Sequence, residues 1–236
     1  MKKSLGIILG LILVAICLTG VWRQQLKKEN IENQSDAIYE VDISKLSVAV
    51  SCGEYYGCGT IYDSDVNSYT IVTARHVLQD YYDGASKDII VKFENNESGK
   101  ASILYENIDL DIVFLGVGKK DISTDYYSVS DISSDSGNSS QSDSTLYSGQ
   151  TIYLVDAETD DIYAGSIANP SVYSEDFSMD MIYCYCAVTP GMSGTGMFDE
   201  DGHYLGILLG GSDEAEAVCL SAASIGELYE EILSVR

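Results

Sequence analysis

The chain has 236 residues, 45% of them hydrophobic and 21% charged, with 21 glycines, 18 tyrosines and only 2 prolines. An apolar fraction of that size excludes general disorder, and the glycine and tyrosine content points to strands and tight turns rather than a helix bundle. The net charge of -24 excludes a nucleic-acid partner, because phosphate binding needs a basic footprint.

At the N-terminus, Lys2 and Lys3 precede an apolar run from Leu5 to Trp22, and Arg23, Lys27 and Lys28 follow it. These five belong to a total of only 13 basic residues, so the remainder of the chain is more acidic still. The run is near the lower length limit for a helix that spans a bilayer. Its exit, Leu18-Thr19-Gly20-Val21-Trp22-Arg23, lacks the small-residue pattern of a cleavage site. Residues 1–23 are therefore read as an uncleaved signal anchor, a single-pass transmembrane helix that ties the protein to the cell membrane. Cys17 follows Ile16, where a lipoprotein signal would carry Gly or Ala, and is read as an apolar cysteine within the membrane. Basic residues flank both ends and leave the orientation open. Residues 24–44 are polar and charged and read as a stalk.

The pattern changes at Leu46. Leu46-Ser47-Val48-Ala49-Val50-Ser51 alternates as a strand. Gly59–Tyr62 and Tyr69–Ala74 are a second and third strand, joined by the turn Asp63–Ser68. That turn has the first acids of a calcium loop, but Ser68 and Ala74 stand where the pattern needs Gly and Glu, so it is a plain hairpin turn with no metal. Further strands are predicted over 88–93, 101–106, 111–117, 151–156, 161–168, 181–188, 204–209 and 216–221, with a short C-terminal helix over Ala223–Leu233. Short strands at regular, turn-marked intervals imply an all-β barrel or sandwich. Residues 121–145, rich in Ser and Asp, form a bridge between two halves.

Apart from Cys17 there are five cysteines. Cys52 and Cys58 bracket a hairpin loop that brings two sulfurs towards bonding range. Cys184 and Cys186 share a strand face, so one of them, Cys186 for instance, could bridge to Cys219. The alternative is five small buried hydrophobes. No C-x2-C pair is present and there are only two histidines, which argues against zinc. Disulfides would place the body outside the cytoplasm, which makes the expected localisation extracellular.

Both histidines can be weighed individually. His203 lies in the polar turn Asp199-Glu200-Asp201-Gly202-His203 and reads as a solvated residue, whereas His76 closes an apolar strand in Thr73-Ala74-Arg75-His76-Val77. Gly191-Met192-Ser193-Gly194 sets a serine between glycines, which lets backbone N–H groups converge beside its hydroxyl. Asp111 opens the apolar run Ile112-Val113-Phe114-Leu115. A carboxylate there calls for a partner, and a histidine N–H would be one. Asp109 is the weaker choice, because the apolar alternation starts immediately after Asp111.

In the order His76, Asp111, Ser193, these motifs resemble the trypsin-like (chymotrypsin-fold) serine proteases. Thr-Ala-x-His, Asp-apolar-apolar-apolar-Leu and Gly-x-Ser-Gly are that family's three signatures. Gly57-Cys58-Gly59-Thr60-Ile61, Tyr147-Ser148-Gly149-Gln150-Thr151 and Gly202-His203-Tyr204-Leu205-Gly206 are similar to the bacterial branch that includes the high-temperature-requirement proteases. The resemblance implies two six-stranded antiparallel β-barrels, the first at about 45–120 and the second at about 146–222. It implies a serine endopeptidase with Ser193 as nucleophile, His76 as general base and Asp111 orienting the histidine. Gly191 and Ser193 supply the oxyanion donors, and no cofactor is needed. The primary specificity pocket would lie near Ala187, Leu209 and Gly210. Without an acid at Ala187, the residue before the cleaved bond is expected to be small or medium and apolar. The acidic loop Asp213-Glu214-Ala215-Glu216 is suited to recruit basic residues at other subsites. Two departures stand out: Thr195-Gly196 replaces the family's Gly-Pro, and no Ile-Val-Gly-Gly activation terminus is present. Partners implied are a protein or peptide substrate and, through the N-terminal helix, the membrane. The alternative reading is a catalytically inactive, protease-like binding module on the cell surface.

Overall fold

The structure, a computed structural model, describes residues 42–135 and 145–235. The predicted anchor, most of the stalk and residues 136–144 of the Ser/Asp bridge lie outside the described residues. Among the described residues no helix is long and apolar enough to cross a membrane.

Twelve strands form two closed antiparallel barrels. The first uses β1 (Ser47–Cys52), β2 (Tyr55–Ser64), β3 (Ser68–Ala74), β4 (Ile89–Lys92), β5 (Ser98–Asn107) and β6 (Ile112–Gly118), in the order β1-β2-β3-β6-β5-β4. The second uses β7 (Thr151–Val155), β8 (Ile162–Ser174), β9 (Met179–Tyr185), β10 (Gly196–Phe198), β11 (Tyr204–Gly211) and β12 (Glu216–Ser221), in the order β10-β11-β12-β9-β8-β7. Closure removes the free sheet edges that an all-β chain would otherwise expose. This is the architecture that the resemblance implies. Among the described residues three α-helices complete it: α1 (Gln79–Tyr82), α2 (Val129–Asp135) and α3 (Ala222–Val235).

Two apolar cores hold the barrels. One gathers Val50, Ile71, Val91, Phe114 and Leu115 of the first barrel together with Met181, Ile207, Leu209 and Leu220 of the second. The second barrel has its own core around Ile152, Leu154, Ile167, Ile182, Met197 and Leu208. Helix α3 starts where Ser221 Oγ accepts the Ser224 N–H at 3.2 Å, a serine N-cap. It buries Ile225, Leu228, Tyr229 and Ile232, one helical face, against the first core. Its anchor is Asp63, whose carboxylate accepts the Tyr229 hydroxyl at 2.6 Å and the Ser130 hydroxyl at 2.5 Å.

Some expectations change. Strand β10 has only three residues, too few for a periodic signal. Residues 186–188 leave the sheet: Cys186 N–H donates the last ladder bond, to Ala215, and Val188 N–H turns back to the Cys186 carbonyl. The turn after β2 is a hairpin in which Asp65 Oδ1 accepts the N–H groups of Asn67 and Ser68.

The expected disulfides are corrected: Cys52, Cys58, Cys184, Cys186 and Cys219 are free, buried thiols. Register gives the reason. Cys52 opposes Tyr55, while Cys58 opposes Ala49. That three-position offset puts the two side chains on opposite faces of the ribbon. Cys219 opposes Ile182 and Ala217 opposes Cys184, so Cys186 lies too far along the ladder. The cysteine nearest Cys219 along the ladder is Cys184, whose thiol donates to the Met197 sulfur at 3.8 Å.

Candidate active site

Strands β3 and β6 pair up to Ala74 opposite Ile112. The next residues, Arg75 and Asp111, continue the ladder through an Arg75 N–H···O=C Asp111 bond of 2.8 Å. His76, in the single turn of 3-10 helix Arg75–Leu78, is thereby delivered to the Asp111 side chain. Its backbone N–H donates to Oδ1 at 2.9 Å and its Nδ1 meets Oδ2 at 2.5 Å. The carboxylate thus holds both the backbone and the ring of one residue. Asp111, expected to open its strand, sits in a turn one residue before β6, with φ of 52°. A left-handed aspartate costs about 1 kcal/mol, and here it aims the carboxylate at His76. Asp109, in the same turn, is exposed. The Arg75 side chain turns away, pairing with Glu106 at 3.0 Å and lying over the Tyr82 ring.

Ser193 arrives from the other barrel. Its loop follows the chain from Cys186 and is docked onto β2. Cys58 N–H donates to the Ser193 carbonyl at 2.9 Å, and the Cys58 thiol to the Gly191 carbonyl at 3.4 Å. Glycines make this approach possible. A Cβ on Gly194, whose φ is 91°, would overlap the Cys58 carbonyl and the Thr73 hydroxyl. A Cβ on Gly57 would lie 2.5 Å from Val77, the neighbour of His76, and 2.8 Å from the Ser193 carbonyl. The His76 turn and the Ser193 loop therefore meet on either side of Gly57. The Ser193 hydroxyl points to the Leu209 carbonyl at 3.5 Å, a separation at the limit of a hydrogen bond. Among the described residues it makes no bond to His76.

Within the loop, Met192 N–H donates to Thr189, Gly194 N–H to Leu208 and Thr195 N–H to Met192. Among the described residues the N–H groups of Gly191 and Ser193 have no acceptor. Gly191 has φ of 100° and lies under the edge of the Tyr56 ring. Burial pushes the Cys58 thiol up to about 12, so it stays neutral and acts as a weak donor rather than a competing nucleophile.

The residues expected to form the specificity pocket separate. Leu209 and Gly210 line a groove of about 270 Å³ with Phe177, Tyr183, Glu216 and Val218. Ala187 is exposed on the irregular stretch after β9 and does not line it. Val188 packs against Gly211 instead. The sequence reading missed the groove residues of β9 and β12. Tyr183 opposes Val218, and Val218 opposes Gly210, a cross-strand row that only the register reveals. His203 bonds Asp199 at 3.0 Å in the β10–β11 hairpin and takes no part in the Ser193 loop.

The sequence matches the family of trypsin-like peptidase domains over residues 57–207. No curated protein matches the chain in sequence. Among solved structures it is similar to Deg5, with a TM-score of 0.66 and 14% identity over 83% of this chain and 92% of that one. It is similar to an inactive mutant of Rv3671c from M. tuberculosis H37Rv, with a TM-score of 0.59 and 14% identity over 82% of this chain and 89% of that one. A serine endoprotease from Yersinia pestis gives a TM-score of 0.63 and 16% identity over 85% of this chain and 66% of that one. At such identities these likenesses speak for the fold, and the family rests on the sequence match. That match spans more than half of the residues, and the chain belongs to the trypsin-like peptidase domain family.

Proposed function

We propose that this serine endopeptidase cleaves peptide bonds with Ser193 as nucleophile, His76 as general base and Asp111 as the group that orients the imidazole. The observation that carries the assignment is the pair of hydrogen bonds from His76 to Asp111, on a turn that meets the Ser193 loop across Gly57. With Nδ1–H given to the carboxylate, Nε2 carries the lone pair. The Ser193 hydroxyl swings from the Leu209 carbonyl towards Nε2 and loses its proton as Oγ attacks the substrate carbonyl. The unused N–H groups of Gly191 and Ser193 receive the oxyanion. His76 then protonates the leaving amine, and water hydrolyses the acyl-enzyme.

Substrate binding uses the free side of β11. Beyond Leu208, this strand is paired on β12 alone, so a substrate strand can add along Leu209–Gly211. No acid stands at Ala187, and the residue before the cleaved bond is small or medium and apolar. Digestion of casein followed by mass spectrometry of the products tests both points. New peptides with small or medium apolar residues at their C-termini are expected. A product set dominated by Lys or Arg at that position contradicts the pocket assignment, and intact casein contradicts the activity.

A membrane anchor at residues 1–23 is part of the same proposal, supported by the apolar run, broken only by small residues and Thr19, and by its basic flanks. Full-length protein should stay with membranes after alkaline carbonate washing, and release by that wash argues against the anchor. Free thiols carry no argument for an oxidising compartment, so protease shaving of intact cells reads which side the catalytic body occupies.

A further inference from the structure

The second barrel has no cations of its own beyond a histidine: no lysine or arginine lies between Lys120 and Arg236. Apart from Asp199, which pairs with His203, the ion pair that one of its acids makes comes from the first barrel, Lys92 to Glu158 at 3.0 Å. Glu216, at the start of β12, lines the groove beside Leu209, and among the described residues its carboxylate has no partner. Asp213 and Glu214 stand on the adjoining turn. Besides Ser212 and two glycines, the rest of the groove wall is aliphatic and aromatic: Leu209, Val218, Phe177 and Tyr183. Gly210 leaves it open, since a Cβ built there meets nothing within 4 Å. Its volume of about 270 Å³ corresponds to roughly nine waters at about 30 Å³ each, room for a long side chain.

We infer that this groove is a subsite for a lysine or arginine side chain of the peptide substrate. The inference rests on Ser193 as the nucleophile. The aliphatic stem lies on Leu209 and Val218, the cationic head reaches the ring faces of Tyr183 and Phe177, and the Glu216 carboxylate pairs with it. A purely apolar side chain would strip water from Glu216 without giving it a partner, and an acidic one would be repelled. The groove runs from Leu209, whose carbonyl holds the Ser193 hydroxyl, to Ser212. At about 3.3 Å per extended residue, its occupant belongs two or three residues from the scissile bond, not immediately before it.

A peptide library varied at the positions preceding the scissile bond, cleaved by the full-length protein, tests this. At one of those two positions, kcat/KM should favour Lys over norleucine by about tenfold. Glu216→Gln should reduce that ratio to about two, and Glu216→Lys should turn the preference towards Glu. Gly210→Phe, which fills the groove, should abolish it. Wild-type cleavage with no such preference, or a preference that survives Glu216→Gln, overturns the subsite while leaving Ser193 as nucleophile. A wild-type protein that neither cleaves the library nor takes up a fluorophosphonate overturns the catalytic reading, and the subsite with it.

Discussion

Asp111 carries most of the local order around His76. One carboxylate fixes the backbone of the histidine turn and the tautomer of its ring, while its own carbonyl closes the β3–β6 ladder on Arg75. Asp111→Asn keeps the size but offers an amide, which favours the wrong tautomer, and should lower kcat by about 10⁴-fold, the magnitude known for such a change in a protease triad. Asp109→Asn, two residues away and exposed, should stay within twofold of wild type. Steady-state hydrolysis of one peptide by both variants separates the two acids. A larger loss from Asp109→Asn would reverse the assignment. The pairing of His76 with Asp111 was legible in the sequence because each sits in a short contiguous motif, and the proposed nucleophile Ser193 sits in a third. The left-handed backbone of Asp111 was not legible, because an aspartate signals no such conformation. The cysteine pairing was misjudged for a related reason. Facing strands decide which thiols can meet, and one residue of register reverses every face.

Between residues and barrels, two acid-centred ties hold elements that the apolar cores alone do not fix. Asp63, at the end of β2, receives hydroxyls from Tyr229 on α3 and Ser130 on α2. Asp63→Ala removes the acceptor that the part-buried Tyr229 hydroxyl uses at 2.6 Å and should cost about 1–3 kcal/mol, with hydrogen exchange in α3 rising ahead of the barrels. Equal protection in α3 would show that the apolar face of the helix suffices. Glu97 ties the β4–β5 hairpin to the segment after β6. The Ser123 hydroxyl first, then the Asn95 amide and the N–H groups of Ser123 and Thr124, hold its carboxyl down to about 2, from an ordinary 4.5. A depressed folded value means that this contribution is complete above about pH 4.5 and is lost as pH falls from there through about 2. Unfolding of wild type and Glu97→Gln should therefore differ at pH 6 and converge near pH 2, and a gap that persists there would contradict the tie. At this scale most strands could be read from alternating apolar residues, whereas β10 was too short to show a period.

Charge dominates the molecule as a whole. With a net value of -24, self-repulsion opposes the compact state and salt screens it. Raising ionic strength from about 0.01 to about 0.15 M, where the screening length falls from about 30 to about 8 Å, should raise the melting temperature. The same change should weaken turnover of lysine-rich peptides relative to neutral ones. Opposite salt responses of stability and selectivity follow from one charge distribution, and a melting temperature that falls with added salt would contradict it. The acidity was plain from composition. The groove that puts it to use was not, because its floor is the row Gly210, Val218 and Tyr183 across three strands, distant in sequence and joined only by the fold.

The central claim is that Ser193 is an activated nucleophile held by His76 and Asp111. Fluorophosphonate labelling of the full-length protein, with the modified peptide identified by mass spectrometry, tests it directly. Stoichiometric modification of Ser193 is predicted, lost in Ser193→Ala and slowed by orders of magnitude in His76→Ala. Modification at another residue, or labelling that survives Ser193→Ala, would contradict it.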